Sequence, residues 1–335
     1  MLHIDSQTGT HMQTHHFKAI SYHAIEPGPR LLVLGAVHGN ETAGTKGIQR
    51  VLSEIDAKIL DLVAGSVTFV PITNPLAYER GQRAGERNLN RNLGPTAEPK
   101  EFEDHIANWL CPLMANHDAL LDLHSFQAVG HAFVMVGPEN NIGALEPFGQ
   151  AQAEVNLALR LGVGRLVDGW LSTYARGVER RRAAMGAITS REQQLDTDPR
   201  YGVGTTEYMR SVGGYALTLE CGQHDDPKAP GVAYQAIVNT LAHLGHIDAP
   251  RPAVVTDIEA LRIYDVIDKA HVDDQFNRPW SSFDRLRAGD LIGTRHDGSL
   301  VHAQADGYIL FPNSKAGAGH EWFYLARANP RLMGV

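Results

Sequence analysis

The segment Gly35-Ala36-Val37-His38-Gly39-Asn40-Glu41 sets an imidazole and a carboxylate three residues apart, with a glycine between them. It follows the apolar run Leu31-Leu32-Val33-Leu34, which reads as a strand buried on both faces, so His38 and Glu41 stand at the strand's carboxyl end. In an open α/β sheet that edge is where ligands bind. An imidazole and a carboxylate suit zinc, which in catalytic sites takes three protein ligands and keeps a fourth position open. The third ligand is expected at His124, in Leu121-Asp122-Leu123-His124-Ser125, again at the end of an apolar strand. Taken singly, a His-x-x-Glu after a strand is usually a surface or capping pair, and a buried histidine is usually satisfied by a carbonyl. The combination with later segments is what gives the pattern weight.

Those segments are Asn74-Pro75-Leu76, Arg83 and Asn88-Leu89-Asn90-Arg91, in a stretch rich in Gly and Asn. An arginine there offers a planar fork of donors to a carboxylate or to a developing oxyanion, which lysine cannot match. Further on, Leu217-Thr218-Leu219-Glu220-Cys221-Gly222 puts a carboxylate at the end of an otherwise apolar strand. A glutamate in that position is costly unless paired or used, which makes Glu220 the candidate general base and acid. Cys221 beside it has no neighbouring base and reads as a buried strand-end thiol.

A sheet must position these groups. Further strands are predicted over 66–72, 119–123, 131–136 and 215–219. Ile48, Val51, Leu52, Ile55 and Ile59 recur at helical spacing, and helices are also expected over 101–110, 147–161 and 232–244. Strands alternating with helices imply an α/β fold, with a mostly parallel or mixed sheet carrying helices on both faces. Residues 1–18 read as a polar, His-rich tail, and 19–247 as the zinc-dependent catalytic domain. Asp248-Ala249-Pro250-Arg251-Pro252 reads as a linker, because two prolines forbid a continuing helix. Beyond it, short β-like runs over 261–267, 290–294 and 308–312 predict a small β-rich C-terminal domain, 248–335, leaning on the larger one.

Composition narrows the function classes. Lys and Arg number 30 against 38 for Asp and Glu, a formal net charge of −8, which argues against a protein that neutralises nucleic-acid phosphates. No apolar stretch reaches the roughly 20 residues that span a bilayer, the N-terminus lacks the apolar segment of a signal peptide, and two cysteines make no disulfide framework. The cytoplasm is the expected address.

His38-Gly39-Asn40-Glu41, Arg83, Asn90-Arg91, Asp122-Leu123-His124 and Glu220 together resemble the zinc metallocarboxypeptidase-like superfamily, and within it the succinylglutamate desuccinylase/aspartoacylase family. The resemblance covers about residues 25–245 and extends to the small β segment that follows. It implies one zinc ion per chain held by His38, Glu41 and His124. Arg83 matches the residue that polarises the scissile carbonyl, Asn90 and Arg91 the pair that grips a substrate carboxylate, and Glu220 the residue that activates the attacking water and protonates the leaving amine. Arg210 resembles an arginine that aspartoacylases use for a second carboxylate, in a segment, 205–214, that is otherwise only loosely similar. Tyr308 is a candidate for the tyrosine that family members supply from a late loop. The implied activity is removal of an acyl group from an N-acyl amino acid.

Two alternatives stay open on these residues. A carboxypeptidase or peptide amidase would use the same zinc site, and a catalytically silent binding protein could share the scaffold. A His-Glu-x-x-His metalloprotease is not supported, since His320-Glu321 is followed by Trp322-Phe323-Tyr324, and Gly44-Thr45-Lys46-Gly47 lacks P-loop spacing. Arg180-Arg181-Arg182 reads as a solvated basic run. The choice of acyl group, and whether the small β segment pairs two copies into a homo-oligomer or covers the active-site mouth, are left open.

Overall fold

The computed structural model describes residues 15–184 and 197–332. His3 and His11 of the expected tail lie outside the described residues; His15 meets Phe102 edge-on, ring centres 5.1 Å apart.

The apolar runs become neighbouring central strands: β2 (Glu26–Gly35), β4 (Ala119–Phe126) and β7 (Tyr215–Gln223) pair in parallel in that order. β3 (Ala64–Val70) pairs in parallel with the other side of β2, and β1 (Ile20–His23) closes that edge antiparallel. Alternation along each strand builds two cores. Leu31, Val33, Leu121, Leu123, Leu217 and Leu219 face the helices α1 (Ala43–Asp56) and α7 (Ala229–Leu244) through Ile48, Val51, Ala233 and Ile237. Leu32, Leu34, Leu120 and Ala216 face the opposite way, onto Ile106 and Leu110 of α3 (Phe102–Ala115). Both faces are dry, which is why these strands read as continuous apolar runs rather than alternating ones. Burying one such leucine contributes about 1.5–3 kcal/mol.

Beyond β7 the sheet continues through β5 (Phe133–Met135), antiparallel, and β6 (Arg165–Asp168), parallel to β5. It then runs into strands from the C-terminal segment. β8 (Glu259–Asp268) pairs in parallel with β6, Leu166 opposite Ala260, and β14 (Glu321–Ala328), β13 (Gly307–Leu310) and β10 (Asp284–Leu286) follow antiparallel. The result is one mixed sheet of eleven strands among the described residues, plus a separate three-stranded sheet of β9 (Gln275–Phe276), β11 (Leu291–Thr294) and β12 (Leu300–His302). The expected α/β class with a small β unit at the C-terminus is therefore present. What the sequence pattern did not show is that four C-terminal strands extend the large sheet, because β6, only four residues long, gave no signal of the free edge they join.

The remaining helices are α2 (Pro75–Arg80), α4 (Ala151–Ala158), α5 (Trp170–Ala184) and α6 (Thr205–Ser211). α4 is shorter than the 147–161 expected, because Phe148 folds back to bridge Asn141 in the preceding loop. The basic run on α5 is not simply solvated: Arg180 pairs with Asp265 at 2.8 Å and Arg181 with Asp268 at 2.9 Å, tying the helix to β8. No helix among the described residues is long and apolar enough to cross a membrane.

Candidate active site

At their carboxyl ends β4 and β7 exchange leucine for polar residues on one face only. Asp122 and His124 follow Leu120 on that face, and Thr218 and Glu220 follow Ala216, with His124 directly opposite Glu220 in the register. Cys221, one residue on, falls on the other face among the leucines. Burial, with Glu220 nearby, pushes its thiol well above the ordinary range, so it is no nucleophile.

β2 delivers the other half. After Gly35 the chain turns through Ala36, whose φ of +47° is a left-handed conformation that a Cβ disfavours. Gly39 then passes so close to α2 that a Cβ would lie 1.9 Å from the Ala77 carbonyl carbon, so only glycine fits. This turn brings His38 and Glu41 beneath His124, and the candidate ligand atoms of the three residues lie within 4.8 Å of one another, all buried.

The hydrogen bonds fix how they are presented. His38 Nε2 lies 3.0 Å from Asn88 Oδ1, an oxygen that also accepts from Asn90 N at 2.9 Å. His124 Nε2 lies 2.8 Å from Asp122 Oδ2, which the Thr205 hydroxyl also reaches. These acceptors hold the proton on Nε2 of each ring and leave Nδ1 with its lone pair. Each Nδ1 points at an oxygen of Glu41, His38 at Oε1 and His124 at Oε2, both at 2.9 Å. Two lone-pair atoms at that distance repel unless a proton or a cation lies between them. The donor set, two imidazoles and one carboxylate with outer partners in place, fits zinc.

Electrostatics follow the packing. Asp122 and Glu41 hold His124 well above its ordinary pKa in spite of burial, whereas burial and the Arg83 guanidinium lower His38 to about 4. Burial, then the Glu41 charge, pushes Glu220 up to about 8, against His124 and Arg83. Glu220 Oε2 is buried and has no hydrogen-bond partner.

The arginines sit on a loop organised by a residue the sequence pattern did not single out. Glu103 of α3, fully buried, accepts from Asn74 Nδ2 (2.8 Å), Gly85 N (2.9 Å) and Arg87 N (3.1 Å). Asn74 also caps α2 by accepting from Ala77 N. The loop so held presents Arg83, which donates to Glu41 Oε1 at 2.9 Å, and Asn90, whose Oδ1 accepts from Thr205 N at 2.8 Å where α6 begins. Arg91 stacks on Trp170 and Tyr174, 4.9 and 5.0 Å from the ring centres, and comes within 4.0 Å of Glu321.

His38, Glu41, His124, Arg83, Asn90, Arg91, Arg210 and Glu220 all line one cavity of about 1080 Å³. Arg210 is in different company from that expected: its guanidinium is buried, with Nε donating to Glu154 and Nη1 to Glu146, both at 2.8 Å, and Nη2 to the Ala216 carbonyl. Tyr308 lies on β13 outside the cavity lining, and Tyr324 of β14 stands in the wall with a buried, unpartnered hydroxyl. Asn88 and Asp122 were inside the quoted motifs, but their roles as outer partners of the histidines emerge only once the strands meet. Asp122→Asn is expected to lower metal affinity by about 10- to 100-fold with the fold intact, measured by competition with a metal indicator. Unchanged affinity would remove Asp122 from the support of His124.

Residues 27–159 match the family model of the succinylglutamate desuccinylase/aspartoacylase catalytic domain. An N-alpha-acetyl-L-2,4-diaminobutyric acid deacetylase of Halomonas elongata is 32% identical over 104 residues, 29% of this chain and 29% of that protein, so the match spans under a third of the relative. A solved succinylglutamate desuccinylase/aspartoacylase from Rhodobacter sphaeroides superposes with a TM-score of 0.69 at 16% identity, covering 93% of this chain and 90% of that one. The product-bound ectoine utilization protein EutE (DoeB) of Ruegeria pomeroyi gives 0.66 at 17%, covering 90% and 86%. At such identities these two likenesses speak for the fold. The motif resemblance and the family model agree: residues 27–159 are similar to the catalytic domain of the succinylglutamate desuccinylase/aspartoacylase family.

Proposed function

We propose that this protein is a zinc-dependent hydrolase that removes the acyl group from an N-acyl amino acid. One observation carries the reading: Glu220, buried and with an unpartnered oxygen, stands opposite His124 beside the His38–Glu41–His124 cluster, in a cavity also lined by Arg83 and Arg91. The matched relative is named as a deacetylase of an N-acetylated amino acid, which supports the same reaction class.

His38, Glu41 and His124 would hold one zinc ion, whose chemistry is Lewis-acid polarisation and a fall in the pKa of water from 15.7 toward about 7. Glu220 Oε2 accepts a proton from the attacking water and returns it to the amide nitrogen. One C–O bond forms and the C–N bond breaks, giving a carboxylate and a free amine. The Arg83 guanidinium donates to the carbonyl oxygen as negative charge develops there, an effect of about 3–4 kcal/mol for a well-placed donor. Asn90 positions its loop against α6, and Arg91, set against the rings of Trp170 and Tyr174, grips the substrate carboxylate.

Residues 19–247 would form the catalytic unit, with 248–335 supplying part of the cavity wall. The two buried thiols suit the reducing cytoplasm. The test is a hydrolysis screen of the zinc-loaded protein on N-acetyl and N-succinyl amino acids and on dipeptides, scored for released amine, with Glu220→Gln as blank. Turnover of N-acyl amino acids, lost with a chelator and regained with zinc, is expected. Turnover of dipeptides alone would move the protein to the carboxypeptidases, and no Glu220-dependent turnover of any compound would overturn the proposal.

A further inference from the structure

On the sheet face away from Glu220, three basic side chains meet without a counterion. α7 packs on that face through Ala233 and Ile237, and its Asn239 and His243, four residues apart, share a side of the helix. Asn239 Nδ2 donates to the Leu161 carbonyl at 3.2 Å, and Val255 N, just past the linker, donates to the Leu159 carbonyl at 2.9 Å. These bonds gather the end of α4, the last turn of α7 and the linker, and each segment brings one basic residue: Arg160, His243 and Arg251. Arg251 Nε donates to His243 Nδ1 at 3.2 Å.

What the cluster lacks is an acceptor. Among the described residues no carboxylate pairs with any of the three. Arg160 Nη1 donates to the Asn156 carbonyl at 2.7 Å, while its Nε is buried with no partner. Burial, then the charges of Arg251 and Arg160, lowers His243 to about 4, so at neutral pH its ring accepts from Arg251 through Nδ1 and carries a proton on Nε2. Burial, then Arg251, lowers Arg160 as well. The carbonyls that end α4 explain one of these N–H groups. They do not explain why a linker arginine is set beside a second arginine, since like charges repel more strongly as water is removed. Donors from three segments, two fixed positive charges and no acceptor are the chemistry of an anion site. None of the three residues lines the cavity that holds Glu220.

We infer that Arg160, His243 and Arg251 bind the phosphate group of a small soluble molecule, at a site separate from the reaction site. Two guanidinium groups match the charge of about −1.5 to −2 that a phosphate monoester carries at pH 7, whereas one carboxylate would leave a cation unmatched. A phospholipid headgroup has the same chemistry, but the net charge of −8 opposes approach to an anionic membrane.

The test titrates the zinc-loaded protein with inorganic phosphate in chloride buffer at pH 7 and follows the histidine ring resonances by NMR, with His243 assigned through His243→Gln. The His243 signals are expected to shift saturably. Arg251→Gln and Arg160→Gln should each weaken that binding by about tenfold or more, the loss of a charge-assisted hydrogen bond. Arg251 is exposed, so Arg251→Gln is expected to melt at the parent temperature in phosphate-free buffer, which separates lost binding from lost folding. Phosphate that shifts His38 and His124 and leaves His243 still would be bound at the reaction site, and the inference would fall. It would fall equally if His243 did not respond, or responded alike in the parent and in Arg251→Gln. Sedimentation with phosphatidylglycerol vesicles is the last arm: Arg251-dependent binding to vesicles without a response to free phosphate would move the site to the membrane and overturn a soluble ligand.

Discussion

Glu220→Gln is expected to lower kcat by about 10³- to 10⁴-fold while the protein still takes up one zinc ion per chain. The amide has the shape of the carboxylate but cannot accept a proton from water or return one to the leaving nitrogen. Metal uptake should survive because the three candidate ligand atoms belong to His38, Glu41 and His124, and Glu220 only faces them across the β4–β7 pair. The variant should also unfold at the same temperature or slightly higher, because it removes a buried carboxyl that stands near Glu41 and has an oxygen without a partner. Single-turnover kinetics, elemental analysis and a thermal melt decide the matter together. A Glu220→Gln protein that loses the metal would place Glu220 among the ligands and leave the proton transfer without an owner.

His38→Ala is expected to abolish both metal uptake and turnover. Its affinity for zinc should fall by more than the roughly 10- to 100-fold given to Asp122→Asn, since a ligand is removed rather than its support. A thermal melt reports this without any substrate. A ligand that binds only the folded state stabilises it by about 4 kcal/mol at a thousandfold excess over its dissociation constant, so the parent protein should melt later with zinc and His38→Ala should not. An equal zinc-induced rise in both proteins would show that the ion binds elsewhere.

How much of this was legible in the sequence depended on how locally each feature is encoded. β2, β4 and β7 announce themselves because burial on both faces leaves them mostly apolar up to their carboxyl ends, and α1 and α7 because their apolar residues recur at helical spacing. His38 and Glu41 were legible for the same reason, as polar residues at the end of such a strand. β14 was passed over as a failed metalloprotease motif although Trp322-Phe323-Tyr324-Leu325 is an apolar run, because its pairing partners, β8 and β13, lie far away in sequence. Glu103 and Glu146 were invisible for another reason. A glutamate in an amphipathic helix or a polar loop looks solvated until the chain that buries it is in place, and only then does the row of backbone N–H groups on Glu103, or the guanidinium on Glu146, give the carboxylate a task.

The alternation of β7 also bears on how such a protein can change over generations. Glu220 and Cys221 are neighbours in sequence but stand on opposite faces, one in the cavity and one in the leucine core. Losing a single residue between Tyr215 and Glu220 would send the carboxylate into the leucine core and the thiol into the catalytic position, and gaining one would bury the carboxylate and put Leu219 there instead. Substitutions on this strand can adjust the enzyme by degrees, whereas any change in its length is all or nothing. Length variation among descendants should therefore gather in the connections, such as the 136–150 loop that carries Glu146, where an added residue alters what the cavity accepts and leaves the catalytic register untouched.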